Sequence, residues 1–128
     1  APNGILFLSV RSDYYYALSL VSQKLFRNAS IIEKNYSGEI FDSGVRFNWI
    51  NSKTLNEGYF SEFGLILRNI SGVGTLSGIT GDPLSKILLP SSLSAEERAS
   101  LLELEHYFGD MYPDSGRYIL CCLTKDSH

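Results

Sequence analysis

The period of the apolar pattern changes several times along the chain, and each change marks an element. "GILFLSV" (Gly4–Val10) is an unbroken apolar run, which predicts a central strand buried on both faces. "SDYYYALSLVSQKLFRN" follows, with Tyr14, Leu18, Val21 and Leu25 at helical spacing and Ala17 and Phe26 widening the stripe. It predicts one helix, capped by Ser12 or Asp13, with Lys24 and Arg27 in the last turn where the helix dipole favours cations. Short strand-like segments come next: "SIIEK", "GEIF" and "VRFNWI", the last with Val45, Phe47 and Trp49 alternating with Arg46, Asn48 and Ile50. "NSKTLNEG" reads as a polar loop. "YFSEFGLILRNI" reads as a longer strand with Phe63, Leu65 and Leu67 on one side, and "VGTLSGI" pairs back to it through "NISG".

"TGDPLS" is a loop, and "KILL" an edge strand ended by Pro90. "SAEERASLLELEHYFG" is the best-marked helix. Ser94 and Glu97 form a capping box, Glu96 and Glu97 suit the first turn, and Gly109 sits where a terminating glycine belongs. Leu101, Leu104 and Phe108 give its buried stripe. "YPDSG" is a turn and "RYILCCLT" the closing strand. Successive strands joined by short turns imply an α+β fold: a single antiparallel sheet of about five to seven strands packed by two helices. Residues 1–128 are read as one domain, without repeat, low-complexity tract or linker.

Composition narrows the function classes. The chain is 44% hydrophobic and 20% charged, an ordinary globular balance that argues against disorder. A net charge of −3 with scattered Lys and Arg argues against binding a phosphate backbone, so RNA is not favoured as a partner. No apolar stretch reaches the length of about 18 residues that crosses a bilayer, so no membrane association is expected. The chain opens at Ala1-Pro2-Asn3, as after Met trimming, signal-peptide cleavage or at the start of an expressed fragment. Sequons at Asn28, Asn35 and Asn69 are glycosylation candidates and fit a secretory history.

The only two cysteines, Cys121 and Cys122, are adjacent. A disulfide wants Cα atoms about 4.4–6.8 Å apart, whereas neighbours sit about 3.8 Å apart and point to opposite faces of a strand. Their apolar neighbours raise a thiol's pKa, so the favoured reading is two small hydrophobes in a buried strand. The glycines of "SGVGTLSGITGDP" lack both the G-x-G-x-x-G spacing and a following G-K-[ST]. Glu103 and His106 make a single E-x-x-H step, and the other histidine, His128, is the last residue; neither a metal site nor a cofactor is expected. His106 is the one base available to a catalytic Ser or Cys. From Glu96 to Asp114 there are six acids and one base, so Glu96, Glu97, Glu103 and Glu105 form a candidate acidic patch for a basic partner. In "DYYY", consecutive side chains fan out by about 100°, so at least one ring stays exposed. Asp13, Tyr14, Tyr15 and Tyr16 are therefore the candidate partner-binding residues.

The order of a short N-terminal strand, one helix and an antiparallel sheet with aromatic-rich strands such as "FNWI" and "GLILRN" resembles the ribonuclease-like secreted effectors of powdery mildew fungi. The resemblance covers roughly residues 4–80. It implies a protein secreted by a plant pathogen that acts inside the host cell, a family of which some members are detected by intracellular immune receptors. It also implies a ribonuclease scaffold without catalytic residues. The Tyr-x-Cys that such effectors carry near the N-terminus has no counterpart in "FLSVRSDYYY". The expected function is thus that of a non-enzymatic, secreted, effector-like virulence protein that binds a host protein. The alternatives are a ribonuclease-like hydrolase using His106 and a cytosolic adaptor or secretion chaperone.

Overall fold

The computed structural model describes residues 3–34, 37–39, 44–78 and 89–127. The fold is α+β. Strands β1 (Ile5–Val10), β4 (Leu65–Val73) and β5 (Tyr118–Lys125) form an antiparallel sheet in the order β1-β5-β4, while β2 (Ser37–Glu39) and β3 (Arg46–Asn48) form a separate hairpin. Helices α1 (Asp13–Ser22) and α2 (Phe26–Lys34) follow β1, a single turn α3 (Ser52–Thr54) follows β3, and α4 (Ala95–Met111) precedes β5. The five strands of the described residues thus divide into two sheets rather than one. The segments "TGDPLS" and most of "KILL" lie outside the described residues, as do Asn35 and His128.

The centre of the main sheet is β5, not β1. Ile119, Cys121 and Leu123 point from one face of β5 and are fully buried against Leu55 and Phe60, with Val10, Ile50, Leu65, Leu67 and Ile70 packed around them. The cysteines therefore stand where the sequence placed them, on opposite faces of an inner strand. Both thiols are free, Cys121 buried and Cys122 half-buried, and burial pushes the Cys121 thiol up from its ordinary value. By contrast β1, expected to be buried on both faces, is an edge strand among the described residues. An apolar run records that a strand can be buried; it does not record which strand receives two neighbours.

The expected long helix is two. It ends at Gln23, where Lys24 N–H donates to Val21 O and Leu25 N–H to Leu20 O, each at 2.9 Å, with Lys24 at φ 60°. This is a Schellman termination with lysine in the left-handed position that glycine normally takes. With no glycine to mark it, the stop is not visible in the pattern, and "SIIEK" joins α2 rather than a strand. The buried residues of α1 are Tyr15, Ser19 and Leu20, whereas Tyr14, Leu18 and Val21 of the expected stripe face outward.

Two further segments depart from expectation. The "polar loop" carries Leu55, one of the most deeply buried side chains, because α3 and the wide turn Leu55–Tyr59 lay it over the sheet. Ser61–Phe63 is a 3₁₀ turn closed by Gly64 at φ 66°, and β4 then runs without a hairpin through "NISG" to Val73, bulged between Leu67 and Asn69. Phe63 is consequently exposed.

Helix α4 keeps its capping box: Ser94 N–H donates to Glu97 Oε2 at 2.8 Å and Glu97 N–H to Ser94 Oγ at 3.2 Å. It does not stop at Gly109. It continues to Met111, and Gly109 is the buried point at which α4 crosses β4, where a Cβ would collide with the Gly72 carbonyl. Leu104 lies on its outer face.

Gly109→Ala is expected to destabilise the fold by about 2–3 kcal/mol, the cost of overpacking a contact between backbones; urea titration at unchanged m-value checks this. Thiol titration is expected to find Cys121 silent in the native protein and both thiols reactive after unfolding. A native Cys122→Ser variant that still reacts would place Cys121 outside the core.

Candidate functional site

The residues first singled out for partner binding are not exposed together: Tyr15 is buried, Asp13 and Tyr16 are half-buried and Tyr14 is exposed. Ser12, fully buried, caps α1 by accepting from Tyr15 N–H at 3.1 Å, and its hydroxyl donates to Asp114 O at 2.8 Å. Asp13 accepts from Asn51 Nδ2 at 3.0 Å, and its N–H donates to Ile50 O at 2.7 Å. Asp114 in turn accepts from Ser52 N–H at 2.8 Å and from the Ser52 hydroxyl. Asp13 thus belongs to a polar junction tying the starts of α1 and α3 to the turn before β5. Its other members, Asn51, Ser52 and Asp114, carry no sequence motif, because they meet only when distant segments are brought together.

The three tyrosines separate as consecutive helical positions must. Tyr15 is buried under Arg11, whose guanidinium carbon lies 4.5 Å from its ring centroid and 5.0 Å from that of Tyr118. Arg11 also donates to Tyr118 Oη at 3.0 Å, the chief reason its pKa is raised. Tyr16 packs in a cluster with Phe47 (5.7 Å) and Trp49 (6.2 Å). Only Tyr14 remains well exposed. Tyr16, Trp49 and Tyr59, with Val10, Arg11 and Thr54, line a cleft of ≈ 410 Å³ beside the end of β1.

The acidic patch is likewise divided. Glu97 serves the capping box, which lowers its pKa through hydrogen bonds from Ser94. Glu105 is half-buried and turned inward, accepting from the backbone N–H groups of Thr75 (2.8 Å), Leu76 (2.9 Å) and Ser77 (2.6 Å). Burial alone would raise its pKa; the Ser77 hydroxyl and these amides outweigh that and hold it below the ordinary carboxylate value. Glu96 and Glu103 remain on the exposed face. Four acids close in sequence therefore leave two for an external partner.

His106 lies at the mouth of a cleft of ≈ 440 Å³ between α4 and β4, lined also by Asn69, Ser71, Glu105, Asp110 and Leu120. The charged side chains lining it are acids, an unfavourable wall for a phosphodiester. Among the described residues, no group of three His, Cys, Asp or Glu side chains is placed to hold a metal ion, and no helix is long and apolar enough to cross a membrane. Of the sequons, Asn69 stands exposed on β4 and Asn28 is half-buried within α2.

The feature that the sequence did not signal is the outer edge of β1. Ile5 (60% exposed) and Phe7 (63%) project from one face, Leu6 and Leu8 from the other, and all four are exposed. From Leu6 inward over β5, a cleft of ≈ 680 Å³ is lined by Phe63, Leu65 and Leu123 together with Ser61, Lys125 and Asp126. Among the described residues, β1 has one strand neighbour.

In comparison with known proteins, no family model matches the chain and no curated protein sequence matches it.

Replacing Glu105 by Ala is expected to cost about 2 kcal/mol, as expected for losing charge-assisted hydrogen bonds at a half-buried site. Because the folded pKa is lowered, that stabilisation is complete above the unfolded carboxylate value of about 4.3 and fades as pH falls through the lower folded value. The difference in Tm between wild type and Glu105→Ala should therefore be constant near neutrality and close in acid. A pH-independent difference would mean that the carboxylate charge is not what holds residues 75–77.

Proposed function

We propose that the chain is a non-enzymatic binding domain whose partner is a protein, and that the partner docks on the outer edge of β1. The observation that carries this reading is the asymmetry between the two edges of the main sheet. Exposed edges offer unpaired N–H and C=O groups to any passing strand, and stable folds guard them with bulges, charges or proline. The β4 edge has such guards: a bulge between Leu67 and Asn69 and the exposed Arg68 and Asn69. From Ile5 to Val10 the β1 edge has no charge, proline or bulge, and it exposes four large apolar side chains in succession. Strand addition uses such an edge, main-chain hydrogen bonds giving affinity and alternate side chains giving specificity.

The reading agrees with the effector resemblance in one respect: a ribonuclease-like scaffold of that kind acts by contact rather than by chemistry. The walls of the His106 cleft support the same side. Cleaving RNA needs a general base, a general acid and a cation at the phosphate. The cleft supplies one histidine between acids. Secretion and delivery into a host cell are part of the proposal and rest on the sequons and the resemblance.

A displayed library of random peptides, panned on the folded protein, tests the docking edge. We expect binders whose affinity falls about tenfold or more in Phe7→Lys. The Tm of that variant should stay within about 2 °C of wild type, since the ring is largely exposed. Binders indifferent to Phe7→Lys would move the docking surface elsewhere, and RNA hydrolysis abolished by His106→Ala would replace the reading with the hydrolase.

A further inference from the structure

Resting on the edge reading above, we propose that the occupant of β1 is an extended segment of another protein with the antiparallel pattern acid–aromatic–x–apolar–x–apolar. The pattern follows from which cleft each position of an added strand would meet. Leu6, Leu8 and Val10 lie opposite Leu123, Cys121 and Ile119, all buried, so they share the core face of the sheet. Leu6 and Val10 are about 13 Å apart along the strand, and each lines a separate cleft. A strand added beyond β1 has its own side chains on that face at alternate positions, one beside Val10, one beside Leu8 and one beside Leu6.

Both existing pairings in the sheet are antiparallel, and antiparallel pairing is the slightly stronger. In that direction the segment passes Val10 first. The cleft there is walled by Tyr16, Trp49 and Tyr59, which suits a planar aromatic side chain making tilted or edge-on ring contacts. Beside Leu6 the added side chain meets Leu6 itself, which is half exposed on the core face, and an apolar side chain suits that contact; the cleft there runs inward over β5 and is lined by Lys125 and Asp126 as well as Phe63 and Leu65. The residue before the aromatic one comes opposite Arg11. That guanidinium stacks between Tyr15 and Tyr118 and gives one N–H to Tyr118 Oη, so a carboxylate is its natural counterpart.

The same chemistry disfavours a second copy of this chain. In a two-fold antiparallel pairing of two β1 strands centred on Phe7 or on Leu8, the residue brought beside Val10 is Gly4 or Leu6. Neither is aromatic. Arg11 would then meet Asn3 or Ile5, neither of them acidic.

The panned library decides the matter, together with Tyr59→Ala, which removes an exposed ring from the cleft wall, and Thr54→Trp, which fills the cleft from its rim. Peptides selected on wild type and dependent on Phe7 are expected to share the pattern. For a Trp-bearing peptide, Kd should rise about fivefold in Tyr59→Ala, and less than about twofold for the same peptide with Ala in place of Trp. Thr54→Trp should weaken the Trp peptide alone. Phe7-dependent peptides without the aromatic position, or equal losses for both peptides in both variants, would overturn the pattern and leave the edge reading standing. Absence of any Phe7-dependent peptide would remove the edge reading itself. A wild-type dimer in sedimentation equilibrium that Phe7→Lys dissolves would assign the edge to a second copy and overturn the proposal.

Discussion

The pairing of β5 with both β1 and β4 is the constraint on which the rest of the structure depends. It joins the two ends of the chain, setting Phe7 opposite Cys122 and Leu8 opposite Cys121, and it puts the last strand in the middle of the sheet. Contacts so distant in sequence close a long loop, whose entropic cost must be offset by burial. Ile119, Cys121 and Leu123 supply that burial, each with none of its surface exposed. The adjacent cysteines are part of this arrangement: one thiol fills the core, and its neighbour faces the other side of the sheet.

Around that sheet, polar groups fix elements that apolar packing alone would leave loosely placed. Asp114 holds the turn before β5 to α3 and, through its carbonyl, to the cap of α1. Glu105 performs the corresponding task on the other side, gathering three successive amides at the end of β4 against α4. Both are acids satisfied from within. Glu105 accepts three backbone N–H groups, and the Asp114 carboxylate one N–H and the hydroxyl of Ser52, so an outside contact must compete with bonds already made.

Among the exposed apolar side chains, Ile5, Leu6, Phe7 and Leu8 follow one another along one strand at the edge of the sheet. Pairing β5 on both sides leaves β1 with one strand neighbour among the described residues, and Leu6 and Phe7 stay exposed beside the core formed with Leu55 and Phe60. The proposed docking of a strand there would add main-chain hydrogen bonds and apolar contact together.

Local chemistry was legible from residues alone: the capping box of Ser94 and Glu97, the α+β class, the closing strand "RYILCCLT" with its unpairable neighbouring thiols, and the exposure of at least one ring in "DYYY". Each is set by bonding within a few residues or by the geometry of neighbouring positions. Tertiary structure decided what depends on distant partners. It made β5 rather than β1 the inner strand, used Gly109 as a crossing point rather than a stop, ended α1 at a lysine, buried Leu55 out of a polar stretch and turned Glu105 inward. An apolar run, a glycine or an acid has the same local preference whichever neighbour it meets. Only the assembled chain supplies the second strand, the carbonyl or the amides that give it one role.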